Sequence, residues 1–158
     1  MVSKIRFMWK IPPFAIVQYM FLGISIIITM VIFTTLTSIQ IEQVFTDPYY
    51  VPQLLIVFVL PFCSLLIKQI RVKLAYKSKN YALLIPLWIL GIYQFISLNI
   101  ICALLIFHGM YLEYQGDMFK FKKYTFDQDT KALLIGLIFI GIVYALVVFV
   151  RVRLGIFW

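Results

Sequence analysis

The sequence predicts an all-α membrane protein: a bundle of four transmembrane helices, with both termini on the cytoplasmic side and a small β-hairpin in an outer loop. Composition, uninterrupted apolar runs and one-sided charge predict this fold class. Of the 158 residues, 64% are hydrophobic and only 13% are charged, and the mean hydropathy is +1.03. A soluble domain is about half apolar and about a quarter charged. A soluble fold of this length could not cover so much apolar surface.

Four apolar runs are long enough to cross a bilayer, whose hydrocarbon core of about 30 Å needs roughly 20 helical residues. The runs contain no Asp, Glu, Lys or Arg. They are also uninterrupted, whereas the strands of a membrane β-barrel alternate between apolar and polar residues. We therefore predict one membrane domain over 1–158, with helices at 14–38, 50–67, 82–108 and 132–150.

The charges between these runs predict the orientation. With four spans, ten cations and no acid fall on one side of the membrane, namely Lys4, Arg6, Lys10, Lys68, Arg71, Lys73, Lys77, Lys79, Arg151 and Arg153. Short cytoplasmic segments favour Lys and Arg, so the termini and the loop 68–81 are predicted to be cytoplasmic, with loops 39–49 and 109–131 outside. The net charge of +8 is then a topology signal. Direct nucleic-acid binding is not expected, because it would require a basic soluble domain.

The basic loop "KQIRVKLAYKSKNY" (68–81) has two interpretations. Its alternation of apolar and basic residues is the period of a strand, which could pair with a soluble cytoplasmic effector by β-augmentation. Alternatively, the helix continues and its cations reach anionic lipid headgroups. The candidate docking residues for a partner or for headgroups are Lys68, Arg71, Lys73, Lys77, Lys79, Arg151 and Arg153.

The loop 109–131 is rich in aromatic residues. Gly116 and Asp117 suit a tight turn, so we predict a hairpin with arms at 110–114 and 118–126. Its aromatic side chains either rest at the lipid interface or recognise something outside the cell. The candidate recognition residues are Tyr111, Tyr114, Phe119, Phe121 and Tyr124.

Uncharged polar side chains within the apolar runs form another candidate set: Gln18, Ser25, Thr29, Gln94, Ser97 and Asn99. They either join helices by hydrogen bonds or line a wet path through the bundle. The first three share one face of their helix by spacing. Asn99 points elsewhere, toward a second subunit. Small residues on two sides of the last run also favour a homo-oligomer.

The sequence does not indicate a catalytic or metal-binding site. Cys63 and Cys102 fall at different depths and suit small buried apolar positions, and His108 is the only histidine. A metal site would need several such ligands at matched spacing. The apolar runs also lack the charged group that ion-coupled carriers usually keep. We therefore predict no catalytic residue, metal site or cofactor.

The layout resembles small four-helix inner-membrane proteins of phage-exclusion and bacteriocin-immunity systems, in which a basic cytoplasmic connector runs straight into helix three, as "KQIRVKLAYKSKNYALLIPL" does here. The resemblance implies a non-enzymatic defence module that senses at its outer loop and docks a soluble cytoplasmic effector. Some members carry a mid-membrane acid in helix three, where this chain has Ser97 and Asn99. Two alternatives stay open: an accessory subunit of a transporter or respiratory complex, and a small pore or carrier. The membrane is a bacterial inner membrane or an organelle inner membrane.

Overall fold

A computed structural model describes residues 12–36, 50–76, 80–97, 99–115, 117–119 and 128–155. These residues are helical and include no strand. The α-helices in this part of the chain are α1 (Pro12–Leu36), α2 (Val51–Tyr76), α3 (Leu84–Ile96), α4 (Ile100–Tyr114) and α5 (Gln128–Arg153). Single 3-10 turns at Tyr81–Leu83 and Asp117–Phe119 precede α3 and follow α4.

Helices α1, α2 and α5 are long and apolar enough to cross a membrane. They confirm the helices predicted from the first, second and fourth apolar runs. Helix α2 continues beyond the predicted end at residue 67, through much of the basic loop, to Tyr76. The alternation in that loop therefore does not form a strand at 70–76. At 1.5 Å per residue, the 26 residues of α2 are about 39 Å long.

The third apolar run is two helices rather than one. Between α3 and α4 the chain reverses direction, so Tyr114 at the end of α4 donates a hydrogen bond to the carbonyl of Asn80 (2.7 Å). Along the pair, the rings of Trp88 and Phe107 lie 5.1 Å apart. With 13 and 15 residues, α3 and α4 are each about 20 Å long, which is too short for a core of about 30 Å. The predicted four-span bundle is therefore not supported. We call 81–114 the helical hairpin.

Glycines let the helical hairpin pack closely. A Cβ atom added to Gly91 would lie 2.8 Å from the Phe107 ring, so α3 and α4 can approach only because this side chain is absent. At Gly109 the added atom would lie 2.9 Å from the Phe14 ring of α1. Small residues serve this purpose at helix contacts in membranes. Phe14 is 1% exposed, so its ring has little room to move away.

The open side of the helical hairpin lies at the same end of the bundle as the start of α1, the end of α2 and the start of α5. Phe14 packs on Gly109, and Lys73 Nζ lies 3.4 Å from the hydroxyl of Thr130. We call this the basic end, because Lys68, Arg71, Lys73 and Lys131 lie in these helix termini. Helix α5 runs away from it, so Arg153 lies at the opposite end.

This arrangement corrects two predictions. The loops 68–81 and 109–131 begin and end at the same end of the bundle, rather than on opposite sides, because α3 and α4 form a returning pair. The cations Arg151 and Arg153 are separated from Lys68, Arg71 and Lys73 by about the length of α5. The predicted outer β-hairpin is not supported: its first arm, 110–114, belongs to α4. Of its second arm, 118–126, only residues 118 and 119 are among the described residues, in a 3-10 turn.

The bundle leaves most of its apolar surface on the outside. Between 22% and 33% of each apolar window in the three long helices is buried within the chain. Ile27, Phe33, Ile135 and Phe149 are all more than 60% exposed. Exposed apolar faces this large need a covering of lipid or of another apolar surface.

Labelling of single cysteines tests the arrangement of the ends. In a background of Cys63→Ala and Cys102→Ala, cysteines placed at Tyr76, Gln128 and Leu154 should react with a membrane-impermeant maleimide. We expect Tyr76→Cys and Gln128→Cys to react in the same preparation, either intact spheroplasts or inverted vesicles, and Leu154→Cys in the other. Reaction of Tyr76→Cys and Gln128→Cys from opposite sides would instead restore the four-span topology.

Substitution of Gly109 tests the contact between α1 and α4. Gly109→Ala should lower the free energy of unfolding by about 1–3 kcal/mol, the usual cost of overpacking. Gly23→Ala is the matched control: nothing lies within 4 Å of its added Cβ, so the higher helix propensity of Ala should leave stability unchanged or raised by up to about 1 kcal/mol. Titration with SDS, followed by circular dichroism, measures both. Equal stability of the two variants would contradict the contact.

Candidate functional site

A first group of polar contacts joins α1 to α2. The hydroxyl of Ser25 donates to the carbonyl of Val57 (3.1 Å). Closer to the basic end, the hydroxyl of Ser64 donates to the carbonyl of Gln18 (3.1 Å), and Arg71 Nη1 donates to Gln18 Oε1 (2.5 Å). Helix α2 therefore bonds to both the backbone carbonyl and the side-chain oxygen of Gln18.

Thr29 does not take part in the contact between α1 and α2. Its hydroxyl donates to the carbonyl of Ser25 in its own helix (2.7 Å), a bond that a helical Thr can make without a neighbour. The spacing of Gln18, Ser25 and Thr29 predicted a shared face. Of these residues, Gln18 and Ser25 bond to α2, whereas Thr29 bonds only within α1.

A second group of polar contacts centres on Gln94, which is fully buried in α3. Its Nε2 donates to Tyr144 Oη of α5 (2.9 Å) and lies 3.8 Å from Cys63 Sγ of α2. Its Oε1 accepts from Asn99 Nδ2 (2.9 Å). One side chain thus links both helices of the helical hairpin to two of the long helices.

The same residue closes the turn between α3 and α4. The backbone carbonyl of Gln94 accepts hydrogen bonds from the N–H of Asn99 (2.9 Å) and from the hydroxyl of Ser97 (3.0 Å). The N–H of Ser97 donates to the carbonyl of Tyr93 (3.0 Å). Backbone groups at this depth must be satisfied within the protein if lipid surrounds them. Asn99 therefore bonds within its own chain through its backbone N–H and through its side-chain amide.

The six polar residues selected from the sequence thus fall into two separate groups. Gln18 and Ser25 lie at the contact between α1 and α2, while Gln94, Ser97 and Asn99 lie at the turn of the helical hairpin. Sequence reasoning missed Tyr144 and Cys63 as partners of Gln94. The available signal was the lone phenol of Tyr144 in the last apolar run, where a buried hydroxyl needs a hydrogen-bond partner.

The docking cations have unequal surroundings. Lys68 is exposed, whereas Arg71 and Lys73 are partly buried and bond to Gln18 and Thr130. Arg151 and Arg153 lie at the opposite end of the bundle. Lys77 and Lys79 lie outside the described residues.

The aromatic residues selected for outer recognition also differ. Tyr111 is exposed on α4. Tyr114 is buried, with its hydroxyl bonded to Asn80, so it offers no surface to a ligand. Phe119 is exposed but packs against Trp88 in a tilted arrangement, with ring centroids 5.3 Å apart. Phe121 and Tyr124 lie outside the described residues.

An open groove lies between α1 and α2 near the basic end. Its volume is about 370 Å³, and its lining residues are Gln18, Tyr19, Lys68, Arg71, Val72 and Ala75. Arg71 Nε is buried and has no hydrogen-bond partner within the described part of the chain. The groove therefore combines two cations, one of them with an unsatisfied donor, and apolar walls.

Metal ligands are not brought together in the described ranges. These ranges hold no group of three His, Cys, Asp or Glu side chains that could bind a metal ion. Cys63 and Cys102 are buried free thiols, and His108 is exposed on α4.

No protein-family model, curated protein or solved structure matches this chain. The function must therefore be argued from the residues themselves.

Replacement of Gln94 tests the central polar contacts. Gln94→Leu removes the acceptor of Asn99 Nδ2 and the donor to Tyr144, so we expect a loss of about 1–2 kcal/mol in the free energy of unfolding, within the range for buried groups left unsatisfied. Thr29→Val is the control, because it removes only a bond within one helix, and should cost less than about 0.5 kcal/mol. Unfolding in SDS measures both. A loss no larger for Gln94→Leu than for Thr29→Val would show that the side-chain bonds of Gln94 do not stabilise the turn, which its backbone bonds and packing would then hold.

Proposed function

We propose that this protein is a non-enzymatic membrane protein that binds an acidic soluble partner at its basic end. The charge distribution carries this proposal. When each connecting segment is counted with the helix end to which it is joined in the sequence, the basic end holds four acids (Glu113, Asp117, Asp127 and Asp129) and twelve of the 14 cations: Lys4, Arg6, Lys10, Lys68, Arg71, Lys73, Lys77, Lys79, Lys120, Lys122, Lys123 and Lys131. At the opposite end, Glu42 and Asp47 balance Arg151 and Arg153, so the basic end has the entire net charge of +8.

This asymmetry favours a cytoplasmic basic end, since short cytoplasmic segments collect Lys and Arg. The start of α1 and the segments on either side of the helical hairpin would then be cytoplasmic, and the end of α5 would lie outside. We propose a bacterial cytoplasmic membrane as the location, with an organelle inner membrane as the alternative.

The partner is best sought through the cations at and before the start of α5. Lys131 is exposed in the first turn of α5, and Lys120, Lys122 and Lys123 belong to the segment that leads into it. Complementary charge steers association and selects partners. Charge reversal at Lys73 would be a poorer probe, because it would also disturb the contact with Thr130.

Membership of a phage-exclusion or bacteriocin-immunity system stays a proposal based on layout. In this version of it, the effector would be the soluble partner at the basic end. Because α4 ends and α5 starts at the basic end, we do not assign sensing to 109–131 in this version. Sensing would instead use segments joined to the opposite end, such as 37–49.

A second candidate is an accessory subunit of a larger membrane complex, or a homo-oligomer. The exposed tip of the helical hairpin favours it: Phe95, Ile96 and Ile101 are 60%, 51% and 63% exposed, and the hairpin is too short to reach the far side of a bilayer. A neighbouring membrane helix would cover these side chains. The pore or carrier alternative gains less support, because Gln94 directs its polar atoms to Asn99 and Tyr144.

Co-purification from the native host tests the proposal. The tagged wild type, extracted in mild detergent at low salt, should retain an acidic soluble chain that is identified by mass spectrometry. The combined variant Lys120→Gln, Lys122→Gln, Lys123→Gln and Lys131→Gln should lose it, as should the wild type at about 0.5 M salt, where exposed charges are screened.

The matched control is Arg151→Gln with Arg153→Gln, at the opposite end, which should retain the partner. Retention by the combined lysine variant would contradict docking at the basic end. Recovery of membrane subunits alone would favour the accessory subunit instead.

A further inference from the structure

We propose that the groove between α1 and α2 binds the phosphate of one anionic glycerophospholipid, with Lys68 and Arg71 as its ligands. The proposal does not depend on the soluble partner, and of the candidate cations for that partner Lys131 lies outside the groove lining. It concerns a single saturable lipid site, beyond the general attraction of a basic surface for anionic headgroups.

Arg71 is placed and oriented before any ligand binds. Gln18 Oε1 accepts from its Nη1, and Gln18 is itself fixed because its carbonyl accepts from Ser64. The guanidinium is a planar fork that suits two phosphate oxygens. Its Nε is buried without a partner in the described structure, and an unsatisfied buried donor is costly. Arg71 lines the groove, so a phosphate bound there would lie beside this guanidinium and could offer an oxygen to Nε.

Lys68 supplies the second charge. It lies one turn before Arg71 in α2, is exposed, and lines the same groove. Two cations at one site favour a headgroup with net negative charge over a zwitterionic headgroup, whose own cation would be repelled. The ligand class is therefore an anionic glycerophospholipid such as phosphatidylglycerol, whose headgroup carries no cation.

The depth of the groove favours a lipid over free phosphate. Helix α2 is about 39 Å long, which exceeds a hydrocarbon core of about 30 Å. Lys68 and Arg71 lie about 12 Å and about 8 Å from its end at Tyr76, by the helical rise, so their long side chains can reach the headgroup level. The groove walls include Tyr19 and Val72, which are 67% and 49% exposed.

An apolar track leads from the groove toward the middle of the bundle. Leu65 lies one turn before Lys68 on the same face of α2 and is 55% exposed, and Leu22 and Ile26 continue the exposed face of Tyr19 on α1. Acyl chains can lie along these side chains while the phosphate stays at the cations. Free phosphate would make no use of such a track.

Native mass spectrometry of the full-length protein in a non-ionic detergent tests the site. Delipidated wild type, titrated with phosphatidylglycerol, should show one saturable bound lipid, and phosphatidylcholine should bind at least about tenfold more weakly. Lys68→Gln and Arg71→Gln should each weaken the binding of phosphatidylglycerol by about tenfold, the order expected for loss of one charge-assisted contact. Lys131→Gln, at the same end of the bundle but outside the groove, should bind as the wild type does.

Because Arg71→Gln could lose binding through misfolding, a second variant that keeps both cations is also tested. Ala75 is exposed and lines the groove, so Ala75→Trp should block the lipid without removal of charge. The proposal is overturned if lipid binding does not saturate at one copy, if Lys131→Gln weakens it as much as Lys68→Gln, or if Ala75→Trp leaves it unchanged. Competition by millimolar inorganic phosphate at equal affinity would also overturn it, in favour of a free-phosphate site.

Discussion

The arrangement of this chain depends on the hydrogen bonds of one residue, Gln94. A chain that reverses within an apolar environment must satisfy its own backbone groups, because lipid supplies no partners. The carbonyl of Gln94 accepts from Asn99 and Ser97 at the turn, while its side chain bonds to Asn99 and to Tyr144 of α5. The reversal brings α4 back to the basic end, so α5 must start there.

The distribution of charge between the two ends of the bundle depends on this reversal. With 82–108 as one span, the segment 109–131 and its acids would lie opposite the loop 68–81. With the helical hairpin, both segments join the same end of the bundle, and the opposite end becomes neutral. Acids and cations then mix at the basic end, yet the asymmetry in net charge between the two ends is retained. Under the proposed orientation 68–81 stays on the cytoplasmic side, whereas 109–131 and Arg153 would exchange sides relative to the four-span prediction.

Sequence reasoning located α1, α2 and α5 because long apolar runs without charge have few structures other than a helix in a bilayer. It failed at the third run because hydropathy reports burial but not direction. Leu and Ile continue on both sides of the turn, and only Gln94, Ser97 and Asn99, within six residues, mark the break. Asn is a preferred residue before the first turn of a helix, and Asn99 takes that place before α4, although its side chain bonds to Gln94 and does not cap the helix. The polar contacts were less accessible still, since the bond between Gln94 and Tyr144 joins residues 50 positions apart.

The same physical constraint explains why Arg71 matters. A guanidinium near the headgroup level is costly if its donors lack partners, and Gln18 satisfies only one of its nitrogens. Arg71 also lines the groove, so in the proposed lipid site one side chain would serve both helix packing and ligand binding. A ligand that binds only the folded state stabilises that state by mass action. A lipid phosphate at this groove would thus strengthen the contact between α1 and α2, and the membrane itself would complete the structure at its basic end.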